Sequence, residues 1–138
     1  MKYDEWEQSV PPQIRADTLW RVEAYRLGLF ISDLAWQDAP KLLKDPRTRE
    51  YGDQLLRATA RISACIAEGY SRDTGKARST YYQYAMGSAR ESRDWYYKAR
   101  RSFRPAVLEH RFELCTMIIR LTLKMVATEG RSNRRASG

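Results

Sequence analysis

The stretch from Gln54 to Arg72, QLLRATARISACIAEGYSR, decides the fold. Leu55, Thr59, Ile62, Ile66 and Gly69 recur at three- and four-residue intervals and so line one side of a helix, while Arg57 and Arg61 project from another. One face packs and the other carries cationic charge. Glu68 falls near the C-terminal end of this helix, where the backbone dipole disfavours an anion. A compensating cation is expected at Arg72 one turn on, or at Arg61 two turns back. A catalytic carboxylate would need a partner acid, base or metal that nothing adjacent supplies, so Glu68 reads as half of a buried or half-buried structural ion pair.

The same period extends outward in both directions. Upstream, Asp17 or Thr18 caps a helix whose stripe is Trp20, Ala24, Leu27, Gly28, Ile31, Leu34 and Ala35, widened by Leu19, Val22, Leu29 and Phe30. That surface is broader than one neighbour covers, which implies packing within a bundle and at a subunit interface as well. Pro40 and Pro46 predict a break over Ala39 to Arg47, with Thr48 capping the second helix.

Downstream, Gly69 and Gly75 bracket a turn, and Thr74 starts a third helix reaching about Arg101. It packs through Tyr81, Ala85, Ser88, Ser92, Trp95 and Ala99, and Gly87 lies in a small-residue patch suited to close approach of another backbone. Tyr81, Tyr82 and Tyr84 point in different directions, so at least one is exposed or interfacial. Pro105 opens a fourth helix with the clearest period in the chain: Leu108, Leu114, Cys115, Ile118, Leu121, Thr122 and Met125.

No segment alternates with period two, so no sheet is expected. The reading is an all-α, antiparallel up-down-up-down four-helix bundle over residues 17–129. Residues 1–16, with Pro11-Pro12, form an extended or loosely attached polar arm that Trp6 docks. Residues 130–138, with Arg131, Arg134 and Arg135, form a basic disordered tail.

Composition narrows the function. The 138 residues carry 25 Lys plus Arg against 17 Asp plus Glu, a formal net charge of +8 that calls for an acidic partner. Cys65 and Cys115 stand apart on apolar stretches and read as small buried hydrophobes in a reducing cytoplasm rather than as a disulfide or zinc framework. Met1 to Glu5 lead into no apolar run, so neither a secretory signal nor a membrane span is expected. His110 is the single histidine, and there is no Glu-x-x-His pair and no Gly-rich phosphate loop; neither an enzyme nor a metal or cofactor is expected.

Arg90, Arg93, Tyr97, Arg100 and Arg104 recur along one face of the third helix and its C-terminal end, flanked by Lys98 and Arg101. Guanidinium groups pair with phosphates and a tyrosine ring can stack on an unpaired base, which suits a nucleic acid. The competing reading is a solvated face whose arginines pair with Glu91 and Asp94. A second group, Arg72, Lys76 and Arg78, clusters at the turn between helices two and three. The alternative function is a protein-interaction scaffold whose basic face docks an acidic partner protein.

The blocks Arg57-Ala58, Ile62, Ile66-Ala67-Glu68-Gly69-Tyr70 and Arg72, followed by Tyr81-Tyr82, Ala85-Met86-Gly87-Ser88 and Glu91, resemble a family of bacterial four-helix bundle proteins. That family includes the products of intervening sequences in large-subunit ribosomal RNA genes. It is similar to the accessory proteins of reverse transcriptases in diversity-generating retroelements. The resemblance spans roughly Leu19 to Val126 and departs from the family pattern at Arg61 and Cys65. It implies a homo-oligomeric ring, commonly a homopentamer, with nucleic acid as partner, RNA favoured over DNA, a reverse transcriptase as a further candidate partner, and no catalytic residues.

Overall fold

A computed structural model describes residues 1–137, with side chains through Arg131. Its elements are α1 (Tyr3–Ser9), α2 (Pro12–Arg15), a 3-10 turn (Thr18–Arg21), α3 (Glu23–Lys44), α4 (Arg49–Tyr70), α5 (Gly75–Lys98), a second 3-10 turn (Arg100–Ser102) and α6 (Pro105–Ser137). Each long helix packs on the next through a short connection, and α6 returns to α3 to close an antiparallel four-helix bundle. Among the described residues there is no strand, and no helix is long and apolar enough to cross a membrane.

The core lies where the 3.6-residue period places it. Ile31, Leu34 and Leu42 of α3 meet Leu55, Ile62 and Ile66 of α4, Ala85 and Tyr96 of α5, and Cys115 and Ile118 of α6, all fully buried. Each large apolar side chain contributes roughly 1.5–3 kcal/mol on burial. Three buried hydroxyls are satisfied by the preceding turn of their own helices: Thr59 donates to the Leu55 carbonyl at 2.9 Å, Ser92 to Ser88 at 2.8 Å and Thr122 to Ile118 at 2.8 Å. Two glycines let helices approach closely. A Cβ at Gly28 would lie 2.9 Å from Ile62 Cγ2 and 3.1 Å from the Ser63 backbone nitrogen, and one at Gly69 would lie 2.8 Å from Tyr81 Cβ. Both cysteines are free, and burial pushes the Cys115 thiol up to about 12.

Several expectations from sequence are corrected. The arm is helical rather than extended: α1 carries Asp4 and Glu5 in its first turn and buries Trp6 against Phe30, and the indole Nε1 donates to Asp33 Oδ2 at 2.7 Å. Asp17 does cap, accepting from the Leu19 backbone, but it starts the 3-10 turn, so Trp20 precedes α3 instead of lying on it.

Pro40 does not end α3, which continues to Lys44. The carbonyl left without its usual donor is that of Trp36, on the solvent side with Pro40, while Ala39 and Leu42 keep the last turn anchored in the core.

On α5 the buried stripe centres one residue later than expected. Tyr82, Ala89 and Tyr96 join Ala85, Ser88, Ser92 and Ala99 inside, leaving Tyr81 and Trp95 half-buried and Tyr84 exposed. Gly87 faces open space within the chain, so it provides no close approach there. Finally, α6 continues through Gly130 to Ser137, so the expected disordered tail is helical as far as it is described; no proline interrupts it. The side chains of Arg134 and Arg135 and all of Gly138 lie outside the described residues.

Candidate nucleic-acid interface

The basic cluster at the end of α5 is built by the way that helix stops. Ala99 caps α5, its N–H bonded to the carbonyls of Trp95 and Tyr97, and the chain turns through Arg100–Ser102 until buried Phe103 anchors it. Arg100 is thereby folded back. Its guanidinium lies 4.3 Å from the centre of the Tyr97 ring and donates to the Tyr97 carbonyl at 3.1 Å, a favourable place for a cation at a helix C-terminus.

One and two turns earlier, Arg93 and Arg90 share the same face. Arg93 is fixed by a 3.1 Å hydrogen bond to Thr116 Oγ1 on α6. Arg90, Arg93, Asp94 and Tyr97, with Phe112 from α6, line a groove of about 420 Å³. Asp94 does not neutralise the arginines, because its carboxylate pairs with Lys98 at 2.8 Å while the Lys98 ammonium sits over the Trp95 ring. Among the described residues, Arg90, Arg93 and Arg100 have no carboxylate within ion-pair distance. The competing arrangement, in which these arginines pair with Glu91 and Asp94, is therefore not the one found among the described residues.

The other candidate residues are not gathered here. Arg101 turns toward the α3–α4 connection, lining a separate cleft with Asp45, Arg47 and Tyr51, and Arg104 is exposed just before α6. Arg57 pairs with Asp53 at 3.2 Å on the outer face of α4, and Arg61 is exposed one turn on.

Arg72, Lys76 and Arg78 lie at and just before the opposite end of α5, with Arg78 about 18 Å from Arg90 along the helix at ~1.5 Å per residue. Two of these three are engaged within the chain. Arg72 pairs with Glu68 and donates to the Tyr81 hydroxyl at 3.0 Å, and Arg78 pairs with Glu129 at 3.0 Å and donates to the Arg72 carbonyl. Glu68 thus has the partner one turn on, and of the two expected burials the pair shows the lesser, with side-chain exposures of 51% for Glu68 and 43% for Arg72.

Two features escaped the sequence reading. One is Phe112, the aromatic wall that α6 contributes to the groove. The other is a buried polar network inside the same end of the bundle, where Asp38 of α3 accepts from Arg111 of α6 and from the Tyr96 hydroxyl of α5 at 2.8 Å. Their signal was a register break: Asp38 sits four residues from both Leu34 and Leu42, and Arg111 four residues before Cys115, on faces otherwise apolar.

The fold and the arginine cluster define a basic helical-bundle protein. Residues 34–121 match the model of the 23S rRNA-intervening sequence protein family, and the chain belongs to that family. The match begins within α3 and ends within α6, so α1, α2 and the first 3-10 turn lie outside it. In fold the chain is similar to a crystal structure of a protein with unknown function from the S23 ribosomal protein family of Bacteroides thetaiotaomicron. The TM-score is 0.69 at 17% identity, covering 75% of this chain and 97% of that one. No curated protein matches the chain.

Proposed function

We propose that this protein is a non-catalytic RNA-binding protein that engages phosphates through the C-terminal end of α5. The observation that carries this reading is the set of three guanidinium groups, Arg90, Arg93 and Arg100, held along one face without a carboxylate partner among the described residues. The family's association with intervening sequences of 23S rRNA supports RNA over DNA. Clustered arginines neutralise phosphates and release counterions, which gives low sequence specificity and steep salt dependence.

The protein acts as a homo-oligomer, a pentameric ring in this reading, so that one basic end is repeated around a rim and weak contacts add up on a long polyanion. It serves as an RNA chaperone or as an accessory subunit of a nucleic-acid enzyme such as a reverse transcriptase. The test is a gel shift of purified, nuclease-treated protein with structured RNA. A shift lost on reversing Arg90, Arg93 and Arg100 supports the reading, and no shift at low salt refutes it.

A second reading, a scaffold for an acidic partner protein, is favoured by Trp36, a tryptophan 74% exposed on α3. Large exposed aromatics are characteristic anchors of protein interfaces. Capture of a protein partner that survives nuclease treatment and is lost in Trp36→Ala would favour it.

A further inference from the structure

The groove at the end of α5 contains more than phosphate-binding charge. Tyr97 is 54% exposed, and the Arg100 guanidinium lies over its ring, 4.3 Å from the centre. Phe112 presents a second ring from the neighbouring helix, and Arg90 and Arg93 border the space between. The groove's volume of about 420 Å³ falls within the ~300–1,000 Å³ of small-ligand clefts.

Charge is graded across the groove. Beyond Phe112, Glu109 and Glu113 line the adjoining cleft with one cation, Arg120, whereas on the α5 side Arg90 and Arg93 face a single carboxylate, Asp94, which Lys98 already pairs. A polynucleotide whose backbone followed the arginines of α5 would direct its bases toward Phe112 on α6. In a duplex those bases are paired and stacked on one another, and only the backbone reaches the protein. An unpaired base offers its flat face to an aromatic ring.

We propose that the groove bounded by Tyr97 and Phe112 is a subsite for one unpaired nucleobase, so that the protein selects single-stranded or looped RNA over duplex RNA. This rests on the RNA-binding reading and adds a selectivity that phosphate contacts alone do not give.

The test is fluorescence anisotropy of the full chain with a single-stranded oligouridylate of about 12 nucleotides and with a duplex of equal length, across a salt series. Tyr97→Ala and Phe112→Leu are each expected to weaken single-strand binding about tenfold more than duplex binding, and so to abolish the preference. Tyr97→Phe, which keeps the ring, is expected to behave as the parent protein does. Ultraviolet crosslinking of the same oligonucleotide carrying 5-iodouridine is expected to mark Tyr97 or Phe112. Equal affinity of the parent protein for the two RNAs, or crosslinks confined to other residues, would overturn the subsite while leaving RNA binding intact. No binding to either RNA at low salt would instead remove the RNA reading on which it rests.

Discussion

Arg111 on α6 clasps Asp38 on α3 inside the bundle, its Nε 2.7 Å from Oδ2 and a terminal guanidinium nitrogen 3.2 Å from Oδ1. Both side chains are about nine-tenths buried, and the Tyr96 hydroxyl completes the carboxylate's hydrogen bonding. Burial works against the Arg111 charge, but the hydrogen bonds and charge of Asp38 outweigh it and hold the guanidinium above its ordinary range, while burial and Asp38 push the Tyr96 phenol up. Three of the four long helices are joined at one point. That point lies directly beneath the end of α5 that carries the basic groove.

Breaking this pair from one side strands a buried charge. Asp38→Ala or Arg111→Ala is expected to cost about 3–5 kcal/mol in urea unfolding, whereas replacing both together by apolar residues of similar volume, Asp38→Leu with Arg111→Met in a Tyr96→Phe background so that no buried hydroxyl is stranded, recovers most of that loss. Tyr96→Phe removes one hydrogen bond and is expected to cost about 1–2 kcal/mol. A double variant no more stable than the singles would show that the pair is irreplaceable by packing.

His110 should make stability pH-dependent. Its Nδ1 lies 2.6 Å from an Arg111 nitrogen, and burial first, then the Arg111 charge, lowers its pKa below the ordinary histidine value. The unfolded chain therefore takes up the proton before the folded one does. Stability is full above ~6.5 and is lost as pH falls through that value toward the depressed folded pKa. Thermal melts from pH 8 to 5 are expected to show a fall that His110→Asn, which keeps an acceptor for Arg111, reduces. Identical pH profiles for the two proteins would contradict this.

Glycine substitutions should differ in sign along α4 and α5. At Gly69 a methyl group would meet Tyr81 Cβ at 2.8 Å and the Tyr82 ring at 2.9 Å, so Gly69→Ala is expected to destabilise despite better helix propensity. At Gly87 nothing lies within 4 Å, and Gly87→Ala is expected to stabilise by roughly 0.5–1 kcal/mol. If the protein assembles through the face bearing Gly87, that gain turns into a loss of oligomer, which light scattering of the same variant would detect.

Local signals with one strong physical cause were legible in the sequence. Thr74 accepts from the Ala77 backbone at the start of α5, Pro105 opens α6, and the Leu55 to Gly69 stripe is buried throughout. Pro40 misled because its penalty is local, while the burial of Leu42 that offsets it depends on a neighbouring helix. The arm was misread for the same reason, since Trp6 finds its place only against Phe30 and Asp33.

At the site, spacing alone grouped Arg90, Arg93, Tyr97 and Arg100. Their lack of carboxylate partners depended on Lys98 taking Asp94, which is a choice among rotamers and not among residues. The turn cluster of Arg72 and Arg78 looked equivalent in sequence. It is engaged by Glu68, Tyr81 and Glu129 once α4, α5 and α6 are brought together.

The central claim is most directly tested by the salt dependence of RNA binding by the parent protein and by the triple reversal Arg90→Glu, Arg93→Glu, Arg100→Glu, with thermal melts to confirm that the variant folds. The account predicts saturable binding by the parent and, in the folded variant, loss of affinity with a slope of log K against log salt shallower by about 2–3, one phosphate contact per arginine. An unchanged slope and affinity in the folded variant would contradict it.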